Sequence, residues 1–95
     1  MPLSGFERRH GELYCEGASL SAIAEKAGTP TYVYSGTTIL DNYRSYAAAL
    51  STLPHEIHYA VKANSSLGIL ALLAREGAGF DIVSGGELFR VLQAG

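Results

Sequence analysis

Residues 57–92 alternate strand-like and helix-like runs across links of only a few residues, and this rhythm constrains the fold more than any other feature of the chain. Ile57-His58-Tyr59-Ala60-Val61-Lys62-Ala63-Asn64 reads as a buried apolar strand that ends on a lysine. Ser65 or Ser66 can cap a following helix whose buried side is Leu67, Leu70, Ala71 and Ala74, with Gly77 as its stop. Phe80-Asp81-Ile82-Val83 is a second short apolar strand. Ser84-Gly85-Gly86-Glu87 then fits a capping box, serine at the cap and glutamate three later, and Leu88, Val91 and Leu92 carry the next helix. Strand, helix, strand, helix in this tight order is the signature of parallel βα units in an α/β fold. Two such units cannot close a barrel, which needs eight and roughly 250 residues. They form either a small open layer or the first part of something larger.

Upstream the pattern is looser. The segments 6–9 and 12–15 flank His10-Gly11 and predict a hairpin, with Gly11 supplying a positive φ. Ser19 caps a helix carrying Leu20, Ile23, Ala24 and Ala27, and Gly28 ends it. Thr29-Pro30 forbids continuation. The β-branched and aromatic run Thr31-Tyr32-Val33-Tyr34 predicts a strand. A second helix over residues 37–50 places Leu40, Tyr43, Ala47 and Leu50 on one face. Pro54 separates it from the lysine-bearing strand.

Composition narrows the function classes. The chain has 95 residues, 47% of them apolar, and a formal charge of -2. That supports one small core. No basic patch points to nucleic acid, and no apolar run is long enough to span a bilayer. Cys15, the single cysteine, has no internal disulfide partner and no basic or histidine neighbour in sequence, so an inert thiol is expected. Met1-Pro2-Leu3-Ser4-Gly5 shows no basic region followed by an apolar core, so no signal peptide is expected and a cytoplasmic protein is the default.

The chemistry rests on Lys62. An ammonium at the end of a core strand is costly to bury, and a desolvated lysine amine can form a Schiff base with an aldehyde. Strand alternation puts His58, Ala60 and Lys62 on one face, and Asp81 and Val83 on one face of the next strand. If both faces look into one site, Lys62 and Asp81 converge at the C-terminal strand ends, where α/β folds place ligands. Ala60, one pleat below the lysine, would leave room for a flat ring. The competing reading is a lysine whose stem snorkels past the strand end, beside a structural aspartate. Ser84-Gly85-Gly86 can hold an anion at a helix start or simply cap the helix, with glycines for close packing. Gly77-Ala78-Gly79 lies between a helix and a strand, the wrong order for a dinucleotide fingerprint. His55 and His58 lack metal-ligand spacing. Tyr32, Tyr34, Tyr43 and Tyr46 read as core and interface filling.

Taken together these segments resemble a known family. Tyr59-Ala60-Val61-Lys62-Ala63-Asn64 is similar to the lysine motif of fold-type III pyridoxal-phosphate enzymes, the alanine racemase-like barrels and their decarboxylase relatives. Phe80-Asp81-Ile82-Val83-Ser84-Gly85-Gly86-Glu87-Leu88 resembles the diaminopimelate decarboxylase family more than the ornithine or arginine decarboxylases. Thr29-Pro30-Thr31-Tyr32-Val33-Tyr34 resembles the segment that enters the barrel in that family. Gly11-Glu12-Leu13-Tyr14-Cys15-Glu16-Gly17 resembles its N-terminal lead-in.

The resemblance implies the start of a (β/α)8 TIM-type barrel, incomplete here. Residues 1–35 would be a lead-in of hairpin, helix and strand that packs with a C-terminal sheet domain, and residues 36–95 the first βα units of the barrel. It implies that Lys62 binds pyridoxal 5'-phosphate covalently, that Asp81 lies near the cofactor and sets its electrostatics, and that Ala60 lines the ring site. It implies a small amino-acid substrate, meso-diaminopimelate, decarboxylated to L-lysine in a homodimer. Family enzymes run to several times this length, and their glycine-rich phosphate loop and substrate-binding arginine have no counterpart in these residues. The 95-residue piece is therefore expected to be inactive alone and to expose sheet edge and apolar helix surface. Another fold-type III decarboxylase or racemase, or a small non-catalytic α/β module with a structural Lys62, are the alternative readings.

Overall fold

The computed structural model describes residues 5–95. Residues 1–4, on which the expectation of no signal peptide rests, lie outside the described residues. The chain divides into two compact units, one ending at Thr38 and one from Ile39 to Gly95.

The first unit is built on a hairpin. Strands β1 (Phe6–Arg9) and β2 (Glu12–Cys15) pair antiparallel, with Arg9 opposite Glu12. The two-residue turn between them holds His10 at φ 50° and Gly11 at φ 81°, the left-handed pair that matches the twist of a hairpin. A two-residue strand, β3 (Ala18–Ser19), adds to the other edge of β2, which the sequence pattern does not signal. Helix α1 (Leu20–Ala27) starts as expected, with the Ala22 N–H donating to Ser19 Oγ at 3.0 Å, and stops at Gly28.

The run from Thr31 to Tyr34 is not a strand. Its backbone is irregular and pairs with no described strand, and Tyr32 is 88% exposed. High β-propensity describes a side chain suited to a pleated surface, and without a partner strand it fixes nothing. Tyr34 and Tyr46 are also exposed, and of the four tyrosines expected to fill core or interface only Tyr43 is half-buried.

Helix α2 (Gly36–Ala49) begins on a local serine cap joined by a distant carboxylate that no local motif announces. Ser35 Oγ accepts the Thr38 N–H at 3.1 Å, and its own hydroxyl donates to Glu16 Oε2 at 2.7 Å. The other Glu16 contacts come from the Thr37 N–H and the Thr37 hydroxyl, at 3.1 and 2.9 Å. A carboxylate from the hairpin side thus takes up a free donor at the positive end of the helix. These three donors hold the Glu16 carboxyl below the usual range, the Ser35 hydroxyl contributing most. In α2 the expected face, Leu40, Tyr43, Ala47 and Leu50, is the half-buried one.

The second unit contains the βα repeat. Strand β4 (His58–Ala60) pairs in parallel with β5 (Gly79–Asp81), and helix α3 (Leu67–Arg75) crosses between them, as the rhythm of the sequence predicts. Both strands are shorter than expected and β5 ends at Asp81, so Val83 is not a strand residue. Helix α3 ends in a Schellman motif: the Gly77 N–H reaches Ala74 O and the Ala78 N–H reaches Leu73 O, with Gly77 at φ 92°. Its buried residues are Ile69, Leu70 and Leu73, so the core face is rotated from the expected one and Leu67 is exposed. Arg44 of α2 grips Glu76 with two hydrogen bonds, 2.6 and 2.9 Å, at the end of α3. Helix α4 (Gly85–Ala94) starts on the expected serine cap, with the glutamate arm of the capping box shifted one residue upstream. The Glu87 N–H donates to Ser84 Oγ at 3.1 Å, and Glu87 Oε1 reaches back to the Val83 N–H at 2.8 Å. Leu88, Phe89 and Leu92 on α4 are exposed, as expected for an apolar helix surface. No helix among the described residues is long and apolar enough to cross a membrane.

Candidate active site

The parallel register settles which side chains share a face. Ala60 lies opposite Asp81, and His58 opposite Gly79. Tyr59 and Phe80 occupy the other face, their rings edge to face with centroids 6.4 Å apart. A Cβ at Gly79 would come within 2.6 Å of the His58 ring, so glycine is what lets the imidazole lie across the strand there. The close approach expected of Gly85 and Gly86 is not found: a Cβ at Gly85 would meet nothing within 4 Å.

Lys62 stands differently from expectation. The strand stops at Ala60, and residues 61–63 form a single 3-10 turn closed by the Asn64 N–H on Val61 O at 3.1 Å. Val61 is fully buried, and the chain pivots on it, so Lys62 is exposed rather than held out of water at a strand end. The period-two argument therefore holds for Ala60 and Asp81 and lapses at Lys62. Among the described residues the Lys62 amine makes no ion pair or hydrogen bond. It is a reachable amine just past the C-terminal end of β4, and Asp81, also exposed, closes the C-terminal end of β5.

Three interactions fix the lysine turn, and sequence reasoning missed all three. The Tyr59 hydroxyl donates to Asn64 O at 2.8 Å and closes the loop that carries Lys62. Asn64 Oδ1 accepts the Ser66 N–H at 2.9 Å, so asparagine, rather than a serine side chain, satisfies the donor at the entry to α3. Arg90 Nε on α4 donates to Ser65 O at 2.9 Å. Asn-Ser-Ser before an apolar run was the available signal for the second. The other two bring together residues whose spacing carries no motif.

The remaining candidates are quieter. His58 lies 3.7 Å from Glu56, and no group of three or more metal-ligating side chains occurs among the described residues. Cys15 is buried, and burial, with a smaller push from the Glu16 charge, raises its thiol pKa. Grooves of about 260, 370 and 380 Å³ lie along β4 and the residues before it, against α2, and none of them includes Lys62 or Asp81.

Residues 37–95 match the family model described as "Pyridoxal-dependent decarboxylase, pyridoxal binding domain". The chain belongs to this family. Among curated relatives of this pyridoxal-dependent decarboxylase segment, the diaminopimelate decarboxylase of Pseudomonas fluorescens is 62% identical over 93 residues, 98% of the chain. That of Pseudomonas aeruginosa is 62% identical over 90 residues. The chain spans 22% of the length of each. Its mixed α/β fold superposes on the crystal structure of diaminopimelate decarboxylase from M. jannaschii with a TM-score of 0.85 at 38% identity, covering 95% of this chain and 22% of that one. The same M. jannaschii enzyme in complex with L-lysine gives 0.87 at 37% identity, over 97% of this chain and 23% of that one.

The residues present fit a pyridoxal group by their chemistry. A cofactor aldehyde needs an accessible, uncommitted primary amine, and Lys62 offers one. A flat ring needs a small side chain beneath it, and Ala60 is a methyl. Asp81, the register partner of Ala60, brings a carboxylate to the same face.

Proposed function

We propose that this chain is the N-terminal part of a diaminopimelate decarboxylase, which converts meso-diaminopimelate to L-lysine and carbon dioxide. In this reading residues 1–35 are the lead-in and residues 36–95 open a (β/α)8 barrel whose remainder lies outside these residues. The complete enzyme is a cytoplasmic homodimer. The observation that carries the reading is the pairing of Ala60 with Asp81 at the strand ends beside the reachable Lys62 amine, in a chain 62% identical to such an enzyme.

Each residue has a physical task. Lys62 attaches the cofactor through its amine. Ala60 leaves the ring its space. Asp81 stands its negative charge beside the ring and favours the positively charged form of the cofactor. Pyridoxal phosphate, when bound, supplies the electron sink for the carbanion left by loss of carbon dioxide. The exposed apolar residues of α4, Leu88, Phe89 and Leu92, support burial against further protein in the complete enzyme.

The test uses the full-length protein that carries this segment. Pyridoxal phosphate gives an absorbing adduct that borohydride fixes onto Lys62, Lys62→Ala abolishes it, and meso-diaminopimelate yields lysine. A full-length protein that forms no adduct overturns the reading. One that forms it but decarboxylates ornithine or arginine instead moves it to a neighbouring activity. The 95-residue chain alone produces no lysine, and steady production by it would refute the need for the remainder.

A further inference from the structure

We infer that Tyr59 and Arg90 are positioning residues for the Lys62 amine, an inference that rests on the reading of Lys62 as the cofactor-bearing group. Lysine is a poor instrument of position by itself. Its four-carbon stem carries about 2 kcal/mol of rotamer entropy, so the placement of its amine depends on how firmly the backbone beneath it is held. Here the backbone is a single 3-10 turn, and such turns have poor hydrogen-bond geometry and little stability of their own.

Two latches on main-chain oxygens compensate. The Tyr59 hydroxyl takes Asn64 O at 2.8 Å, tying the exit of the turn back to the strand that feeds it. Tyr59 lies on the face opposite Ala60, with its ring against Phe80, so the latch crosses beneath the lysine loop without occupying the ring space. Arg90 takes the next carbonyl, Ser65 O, at 2.9 Å. Arg90 sits on α4, the helix that comes after Asp81. Its hydrogen bond therefore joins the βα unit bearing the carboxylate to the segment that leaves the turn bearing the amine. One latch sets the height of Lys62 above its own strand and the other its position relative to Asp81. Both act through carbonyl groups that any residue at 64 or 65 would present, so the information resides in the tyrosine and the arginine.

The test compares Tyr59→Phe, Arg90→Ala and Arg90→Lys with the parent full-length protein. Three quantities are measured: pyridoxal phosphate affinity, the pH midpoint of the adduct's absorbance change, and the melting temperature without cofactor. Losing one hydrogen bond that orders the turn weakens cofactor affinity about five- to tenfold in Tyr59→Phe and Arg90→Ala. Both variants also shift the pH midpoint, because the amine moves relative to Asp81. Arg90→Lys, which keeps a donor and the charge, recovers part of the affinity. Variants that melt earlier while keeping parental affinity and midpoint would overturn the inference, because the hydrogen bonds would then be merely structural. Failure of the parent itself to form an adduct would instead remove the reading beneath it, and this inference with it.

Discussion

Val61 is the pivot on which the lysine turn rests, and its replacement by alanine gives a sharp test of that geometry. The side chain is fully buried, 0% exposed. Val61→Ala removes two buried carbons, worth about 1.6 kcal/mol at about 0.8 kcal/mol each. The cavity left by incomplete relaxation raises the loss to about 2–3 kcal/mol. Val83 is the matched control: the same residue type, just past β5, but 69% exposed. Val83→Ala is expected to stay within about 0.5 kcal/mol of the parent. Urea unfolding of the chain, monitored by far-ultraviolet circular dichroism, reads both. With a slope of about 1 kcal/mol per molar for a protein this small, Val61→Ala lowers the midpoint by about 2–3 M or leaves the chain unfolded in buffer. Equal midpoints for the two variants would refute the reasoning, because the chain could not then turn on a buried Val61.

Three further outcomes are expected. Ser84→Ala removes the acceptor of the Glu87 N–H and destabilises the chain by about 1 kcal/mol, measured in the same urea assay, whereas Gly85→Ala, which meets no neighbour, does not destabilise it. Glu16 and Glu76 have carboxyls held below the usual range, by Ser35 and Thr37 and by Arg44 respectively. A depressed pKa contributes stability above the unfolded value that is lost as pH falls through the folded one, so the melting temperature drops below roughly pH 4–5. Glu16→Gln and Glu76→Gln each flatten that drop, and an acid limb unchanged in both would contradict the network. Cys15, buried and with its thiol pKa raised, reacts with iodoacetamide at neutral pH far more slowly in the folded chain than in urea, and equal rates would place it on the surface.

Much of the fold is legible wherever a residue type has a single local use. His10-Gly11 forces a left-handed turn, Ser19 and Ser84 cap the helices after them, and Gly77 ends α3. The parallel pairing of β4 and β5 is dictated by the helix between them. Illegible features depend on partners distant in sequence. The run at 31–34 has the side chains of a strand but no neighbour to pair with among the described residues. The core face of α3 is rotated toward Ile69 and Leu73 because it is set by what packs against it, and apolar residues at 67, 69, 70, 71 and 73 allow more than one face. The candidate site divides the same way. That Ala60 and Asp81 come side by side at the strand ends follows from alternation along the strands. The exposure of Lys62 is not, because alternation stops where the chain turns, and Tyr59 and Arg90 act through backbone oxygens that no side-chain pattern encodes.

The start of α2 has a consequence for the order of folding. Its first turn is completed by Glu16, 21 residues upstream of Thr37. A helix capped by its own neighbour can nucleate as soon as the chain leaves the ribosome. Ser35 gives α2 that local cap, whereas the Glu16 contacts must wait for a loop of that length to close, at an entropic penalty that grows only slowly with loop length but must be met before the contact forms. The helix that leads toward the parallel strands therefore gains the Glu16 contacts to its first turn only once residues 16 and 37 have been brought together. The carboxylate thus ties the hairpin side of the first unit to a helix that can start without it.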